Sequence, residues 1–305
     1  MAEVGVIFPG QGSQFIGMGK SMYDNDPIAK EYFEKANTIL GYDLTDLCFH
    51  GPMETLTESK FCQPALFVHQ YISYLLLKAQ GIIRRPEVVF GLSLGELTAL
   101  AVAEVYSFET GLRIVEKRGL FMQEACEETH GKMAAILGGQ KDDVEKLCQM
   151  AGVELANFNA PDQIVISGDA KKVDKAIEIA KDMNLSKVIE LAVAGAFHSK
   201  LMTSAKIKFI KFIADIQFNK PQIRVITNVT GQFLDDPDEI KSTLGEQIVS
   251  PVLWVNCMKT AVALGISTFY QCGAGKSLIN LAKRIDKSIV VNPIGEFSDF
   301  SDIIT

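Results

Sequence analysis

Residues 88–96 read Val-Val-Phe-Gly-Leu-Ser-Leu-Gly-Glu. An apolar run, a G-x-S-x-G pattern and an Ala/Leu-rich helical stretch follow one another. That order places Ser93 on a sharp turn between a strand and a helix, with its hydroxyl presented to solvent. Gly91 and Gly95 permit the strained turn and keep side chains clear of the serine. The N-terminus of the following helix aims free N–H groups at any oxyanion that develops there. The chemistry this suits is acyl transfer through a serine ester. A turn of the same composition without chemistry is the alternative.

A serine hydroxyl needs a base, and histidine is the usual one. The chain has four histidines. His69 lies in the apolar stretch Pro64-Ala65-Leu66-Phe67-Val68 and reads as a core or helix-face residue. His50 and His130 fall in polar segments flanked by glycine, as surface turns do. His198 follows Ala194-Gly195-Ala196-Phe197, small residues at a strand-to-loop junction, where an imidazole has room to meet a substrate. Two other patterns are decoys. Gly273-Ala274-Gly275-Lys276-Ser277 has Tyr270 where a P-loop needs its first glycine. Gly10-Gln11-Gly12 has Phe15 where a dinucleotide fingerprint needs its third. No spacing of His, Cys, Asp or Glu predicts a metal site.

The elements that must position these residues alternate. Strand-like runs over 4–8, 87–90, 223–229 and 268–271 are interspersed with helical patterns over 27–39, 63–80, 95–106 and 108–127. This predicts a parallel sheet covered on both faces. Between them, 133–137, 142–151, 163–167, 172–183 and 187–191 give β-α-β-α-β, nearly a ferredoxin-like unit. The expected architecture is α/β: a large α/β-hydrolase-like domain (1–128 and 199–305) with a small ferredoxin-like subdomain (129–198) inserted.

With 305 residues, 48% hydrophobic and 22% charged, the chain can bury a sizeable core. A net charge of −7 argues against nucleic-acid or anionic-membrane partners. No apolar run reaches the ~18–20 residues of a membrane span. The N-terminus has no signal-like segment, and the six cysteines are scattered, without a C-x-x-C pair. A cytoplasmic protein with reduced thiols is expected.

Six segments stand out in order: Phe8-Pro9-Gly10-Gln11-Gly12-Ser13-Gln14, Gln63-Pro64-Ala65, Gly91 to Glu96, Arg118, Gly195 to Ser199, and Pro251-Val252-Leu253-Trp254. Taken together they resemble the malonyl-CoA:acyl-carrier-protein transacylase family and the acyltransferases of polyketide synthases. The likeness runs from Val4 to about Lys283. It implies that Ser93 takes the acyl group from coenzyme A and that His198 relays the proton. The backbone N–H groups of Gln11 and Leu94 would form the oxyanion hole. Near Gln247, a backbone carbonyl would orient the histidine. Asn157 and Asn159 would face the cleft.

Taken alone, Arg118 sits at the edge of an apolar helical arc between Ile114 and Met122 and reads as a snorkelling surface residue. The resemblance reverses that, implying a bidentate grip on a malonyl carboxylate. Gln63 and Met122 would line the same pocket, and Phe197 would crowd an α-methyl branch. The implied substrates are malonyl-CoA and an acyl carrier protein, with no cofactor beyond the coenzyme A thioester itself.

Leu92 departs from the family, where many members carry histidine before the nucleophile. The departure favours the free-standing acyltransferases that serve polyketide synthases. A housekeeping fatty-acid transacylase and a hydrolase clearing carrier proteins are the alternatives. Lys200, Lys206, Lys208 and Lys211 lie on a predicted helix, either as a solvated face or as a docking contact.

Overall fold

The computed structural model describes residues 3–183, 185 and 187–304, without the side chain of residue 304. Ten strands make two sheets. They are β1 (Val4–Phe8), β2 (Val88–Gly91), β3 (Gly131–Leu137), β4 (Glu154–Ala160), β5 (Gln163–Asp169), β6 (Lys187–Glu190), β7 (Arg224–Ile226), β8 (Phe233–Leu234), β9 (Thr268–Cys272) and β10 (Val290–Ile294). The larger sheet runs β10-β9-β1-β2-β7-β8, parallel except for the last pair.

Along β1, Val6 and Phe8 join one apolar cluster while Ile7 joins another with Phe90, Trp254 and Phe269. Side chains of a strand alternate faces, so this sheet is buried on both sides, as parallel sheets are. The chain leaves β1 toward β2 on one side and returns to β9 on the other. Segments following the C-terminal ends of the adjacent parallel strands β1 and β2 therefore meet at one end of the sheet, beside the point between β1 and β9 where strand order reverses.

The smaller sheet, β4-β5-β3-β6, is antiparallel and carries the helices Lys141–Ala151 and Ala170–Asp182. Its core is separate, built from Ile136, Val144, Leu147, Ile166 and Val173 among others. β4, absent from the sequence prediction, completes the βαββαβ order of a ferredoxin-like unit. It was missed because Glu154-Leu155-Ala156-Asn157-Phe158-Asn159-Ala160 carries two asparagines, which are depleted in strands.

Several contacts fix this sheet to the larger body, among them Lys200 N–H to Glu154 Oε2 at 2.9 Å and the two that follow. Val252 exchanges backbone bonds with β4, donating to Ala156 at 2.8 Å and accepting from Phe158 at 2.9 Å. Arg284 reaches the β4–β5 turn, bonding Asp162 Oδ1 at 2.9 Å and Gln163 Oε1 at 2.6 Å.

Predicted boundaries shift where a single residue misleads. The helix expected from 63 runs Ser59–Ala79, straight through Pro64, which reads in sequence as a start signal. The helix expected to 106 is Leu94–Val102, stopped where Glu104 takes a left-handed φ of 63°. The strand expected over 223–229 ends at Ile226, and the chain then turns. All six cysteines are buried and free. Among the described residues, no helix is long and apolar enough to cross a membrane.

Candidate active site

Ser93 sits between β2 and the helix Leu94–Val102 with φ 53° and ψ −102°. A side chain tolerates this left-handed region only when its surroundings over-determine it. Two things do so here. Gly91 and Gly95 pass so closely that a Cβ on Gly91 would collide with the Gly95 backbone, and one on Gly95 would collide with the Phe8 carbonyl. Asn228 clasps the turn from the other side: its Oδ1 accepts from Ser93 N–H at 2.7 Å, and its Nδ2 donates to Gly91 O at 2.7 Å.

Leu92 plays no polar part. Its N–H bonds Phe8 O at 2.9 Å, and its side chain packs against the Trp254 cluster. The turn therefore keeps its hydrogen bonds without a histidine at that position.

His198 lies eight residues beyond the end of β6 rather than directly after that strand, also at a left-handed φ of 57°. Its Nε2 is 2.9 Å from Ser93 Oγ. Its Nδ1 donates to the Gln247 carbonyl at 2.9 Å, which fixes the tautomer and leaves Nε2 as the acceptor. Burial, then the neighbouring Arg118 charge, depresses its pKa to about 4. The imidazole is neutral at pH 7.

Arg118 is not a surface residue. It is 1% exposed, on the helix Phe108–Glu128. Nη1 donates to Gln63 Oε1 at 2.8 Å, and Nη2 donates to Gln247 Oε1 at 2.8 Å and Ser93 Oγ at 3.1 Å. Nε has no partner. Burial lowers its pKa to about 10, so it stays charged at pH 7. A guanidinium has five donors and no acceptor. Nη1 uses one of its two hydrogens and Nε none, so two N–H groups of this guanidinium are unengaged while its Nη2 touches Ser93 Oγ.

Ser93, His198, Arg118 and Gln63 line a cavity of about 160 Å³ that also touches Gln11, Leu94, Met122, Asn157, Asn159 and Phe197. Among the described residues, the backbone N–H groups of Gln11 and Leu94 have no hydrogen-bond partner. Gln63 donates to the Met122 sulfur at 3.4 Å, holding both on one wall. Phe197, 7% exposed, closes the side next to His198.

The other histidines stand apart. His69 is buried with Nε2 on Gly295 O at 2.9 Å, and His50 is exposed beside Asp46. Lys206 and Lys208 pair with Glu246 and Glu124. Among the described residues, no three His, Cys, Asp or Glu side chains are placed to hold a metal.

Sequence reasoning missed two members of the site. Asn228 was absorbed into a predicted strand. The signal available was its polarity, with Thr227, at the C-terminal end of an apolar run. Glu96 was seen only as part of the G-x-S-x-G context, yet it is fully buried and bonds both Asn228 and Gln247.

A serine on a strained strand-to-helix turn, with an oriented neutral histidine and free backbone donors, is equipment for acyl transfer. Comparison with known proteins agrees. The acyl transferase domain model matches residues 6–273, and the chain belongs to that family of acyltransferases.

Within the family it is similar to malonyl CoA-acyl carrier protein transacylases. It is 39% identical over 294 residues to that of Bacillus subtilis (strain 168), covering 95% of this chain and 92% of the relative. The solved structure of the Coxiella burnetii transacylase superposes with a TM-score of 0.96 at 36% identity, covering 99% of this chain and 96% of that one. A malonyl-transacylase solved with a type II PKS acyl-carrier protein gives a TM-score of 0.96 at 31% identity, covering 99% of both chains.

Proposed function

We propose that this protein moves malonyl from malonyl-CoA, through an ester on Ser93, to the phosphopantetheine thiol of an acyl carrier protein. The observation that carries the reading is Arg118: a buried cation whose Nη2 donates to Ser93 Oγ at 3.1 Å and whose Nε has no partner. An acyl group bearing a carboxylate two carbons from the thioester carbonyl satisfies that charge. An acetyl group does not.

His198 Nε2 takes the proton from Ser93 Oγ as the oxygen attacks the thioester carbon. The N–H groups of Gln11 and Leu94 stabilise the tetrahedral oxyanion; loss of one such donor typically costs on the order of 10²–10³ in rate. The C–S bond breaks and His198 returns the proton to the departing coenzyme A thiolate. In the second half, the carrier thiol loses its proton to His198, attacks the ester carbonyl and receives the malonyl group, and Ser93 regains its proton. Phe197 crowds an α-methyl branch, worth about 1–3 kcal/mol against methylmalonyl. No cofactor takes part, and coenzyme A enters only as part of the substrate.

The carrier served, in this reading, belongs to a polyketide synthase. Leu92 in place of histidine supports this, as does the likeness to a transacylase solved with such a carrier.

The test is intact mass after brief mixing with malonyl-, acetyl- or methylmalonyl-CoA, followed by a polyketide or a fatty-acid carrier protein. A malonyl adduct that passes to the polyketide carrier faster is expected. Faster passage to the fatty-acid carrier would assign the housekeeping role, and decay into water would assign a hydrolase. Replacing Ser93 by Ala should abolish the adduct, and an adduct that persists removes the mechanism.

A further inference from the structure

The transfer chemistry leaves one buried charge unused. Glu96 lies on the first turn of the helix Leu94–Val102, three residues after Ser93, with no solvent exposure. Its Oε2 accepts from Asn228 N–H and from Gln247 Nε2, each at 2.8 Å, while Oε1 has no partner. The other end of the same Gln247 amide accepts from Arg118 Nη2 at 2.8 Å. Glu96 and Arg118 are therefore held one amide group apart.

The titratable groups coupled to Glu96 come from three places: Arg118 on its helix, Tyr106 just before that helix, and Cys257 on the helix Trp254–Val262. Burial pushes the Tyr106 hydroxyl and the Cys257 thiol well above their usual ranges, so both stay neutral. His198 is neutral as well. Arg118 is the charge among them that answers Glu96.

A carboxylate arriving on Arg118 changes this balance. Two carboxylates sharing one guanidinium in a cavity of this size repel, and one of them favours its neutral form. Oε1 of Glu96 can take a proton without disturbing either bond it accepts, because both end on Oε2.

We propose that Glu96 is a positioning residue that exchanges a proton with solvent as the site fills. The fraction that is ionised opposite Arg118 in the empty site takes a proton on Oε1 when the acyl carboxylate occupies Arg118. When the acyl group leaves, the proton returns to solvent. No substrate bond is involved. The inference rests on the malonyl reading.

Burial already raises the Glu96 pKa to about 7 in the empty site, with Arg118 and the two hydrogen bonds pulling the other way. A ligand that raises it further binds with proton uptake, so malonyl affinity falls as pH rises through 7. Both forms of Glu96 are therefore present near neutral pH in the empty site, and malonyl binding takes up a fraction of a proton that grows as pH rises through 7.

The experiment is calorimetric titration of the Ser93→Ala protein with malonyl-CoA near pH 7, in two buffers of different ionisation enthalpy. Acetyl-CoA serves as the control, since it shares every titrating group of coenzyme A. The expected result is net proton uptake, a fraction of one proton, with malonyl-CoA in excess of that with acetyl-CoA. That excess should vanish in the Ser93→Ala/Glu96→Gln protein. Malonyl-CoA binding without excess uptake, or with the same excess in the double variant, overturns the proposal.

Should the double variant not fold, the ratio of malonyl to acetyl affinity in Ser93→Ala, measured from about pH 6 to about 8.5, decides. A falling ratio supports the proposal and a flat one sinks it. Failure of malonyl-CoA to bind at all removes the malonyl reading, a different outcome from binding without a proton.

Discussion

At the scale of single residues, Arg118 has the largest consequence for what is transferred. Three of its N–H donors are engaged and Nε is not. Leaving a buried carboxylate unpaired costs about 3–5 kcal/mol, so Arg118→Ala should lower malonyl kcat/KM by at least roughly 10²-fold. Acetyl transfer should fall far less. Steady-state kinetics on both thioesters tests this, and equal losses would make Arg118 a structural residue.

His198 and His69 carry a second prediction. Burial holds both near a pKa of 4, against 6.5 unfolded. Depressed pKa values give stability that is full above pH 6.5 and lost as pH falls toward 4, at most about 3 kcal/mol per histidine. Chemical denaturation from about pH 7 to 4.5 should show that decline. His69→Gln should remove about half of it.

Arg118 also shows where sequence reading stops. Helical periodicity put it at the edge of the apolar arc, and only the fold shows which other helices close over that edge. Glu96 and Asn228 were opaque for a related reason. Each is defined by partners about 130 residues away, and no local pattern records them.

Among elements, the turn between β2 and the helix Leu94–Val102 is the most constrained. The Phe8 carbonyl that blocks a Cβ at Gly95 belongs to β1, which is paired on both sides and cannot retreat. Gly95→Ala should therefore cost at least about 1–3 kcal/mol and displace Ser93. Differential scanning calorimetry should show the lowered Tm, and intact mass a slowed acylation. A Tm equal to that of the parent would mean the helix can slide.

Strands such as β1, β2 and β9 were legible because apolar β-branched runs seldom mean anything else inside an α/β alternation. β8 is two residues long and β10 carries Asn292-Pro293, so neither announces itself.

For the molecule as a whole, the smaller sheet is joined to the larger body by the Val252 backbone bonds and by Arg284. Arg284 is only partly covered, so Arg284→Ala should cost less than about 1 kcal/mol of global stability. It should nevertheless speed amide exchange across the β4–β5 turn, since the local tie is gone. Hydrogen exchange by mass spectrometry measures this directly, and unchanged exchange there would mean that Arg284 is not what holds the turn. The two-layer plan was readable from the β-α alternation and its change of character near residue 130. The clamp was not, because it joins residues 122 apart.

The burial of all six cysteines has a bearing on redox chemistry. In the proposed reaction every turnover passes one free thiol, coenzyme A, out of the cleft and admits another on the carrier arm. Burial lifts the protein's own thiols to pKa values of about 12 or beyond, so they carry almost no thiolate at neutral pH. Mixed disulfides form by thiolate attack on an accessible sulfur, and this protein offers neither partner. Under mild oxidation the substrates would pair with each other while the catalyst stayed unmodified.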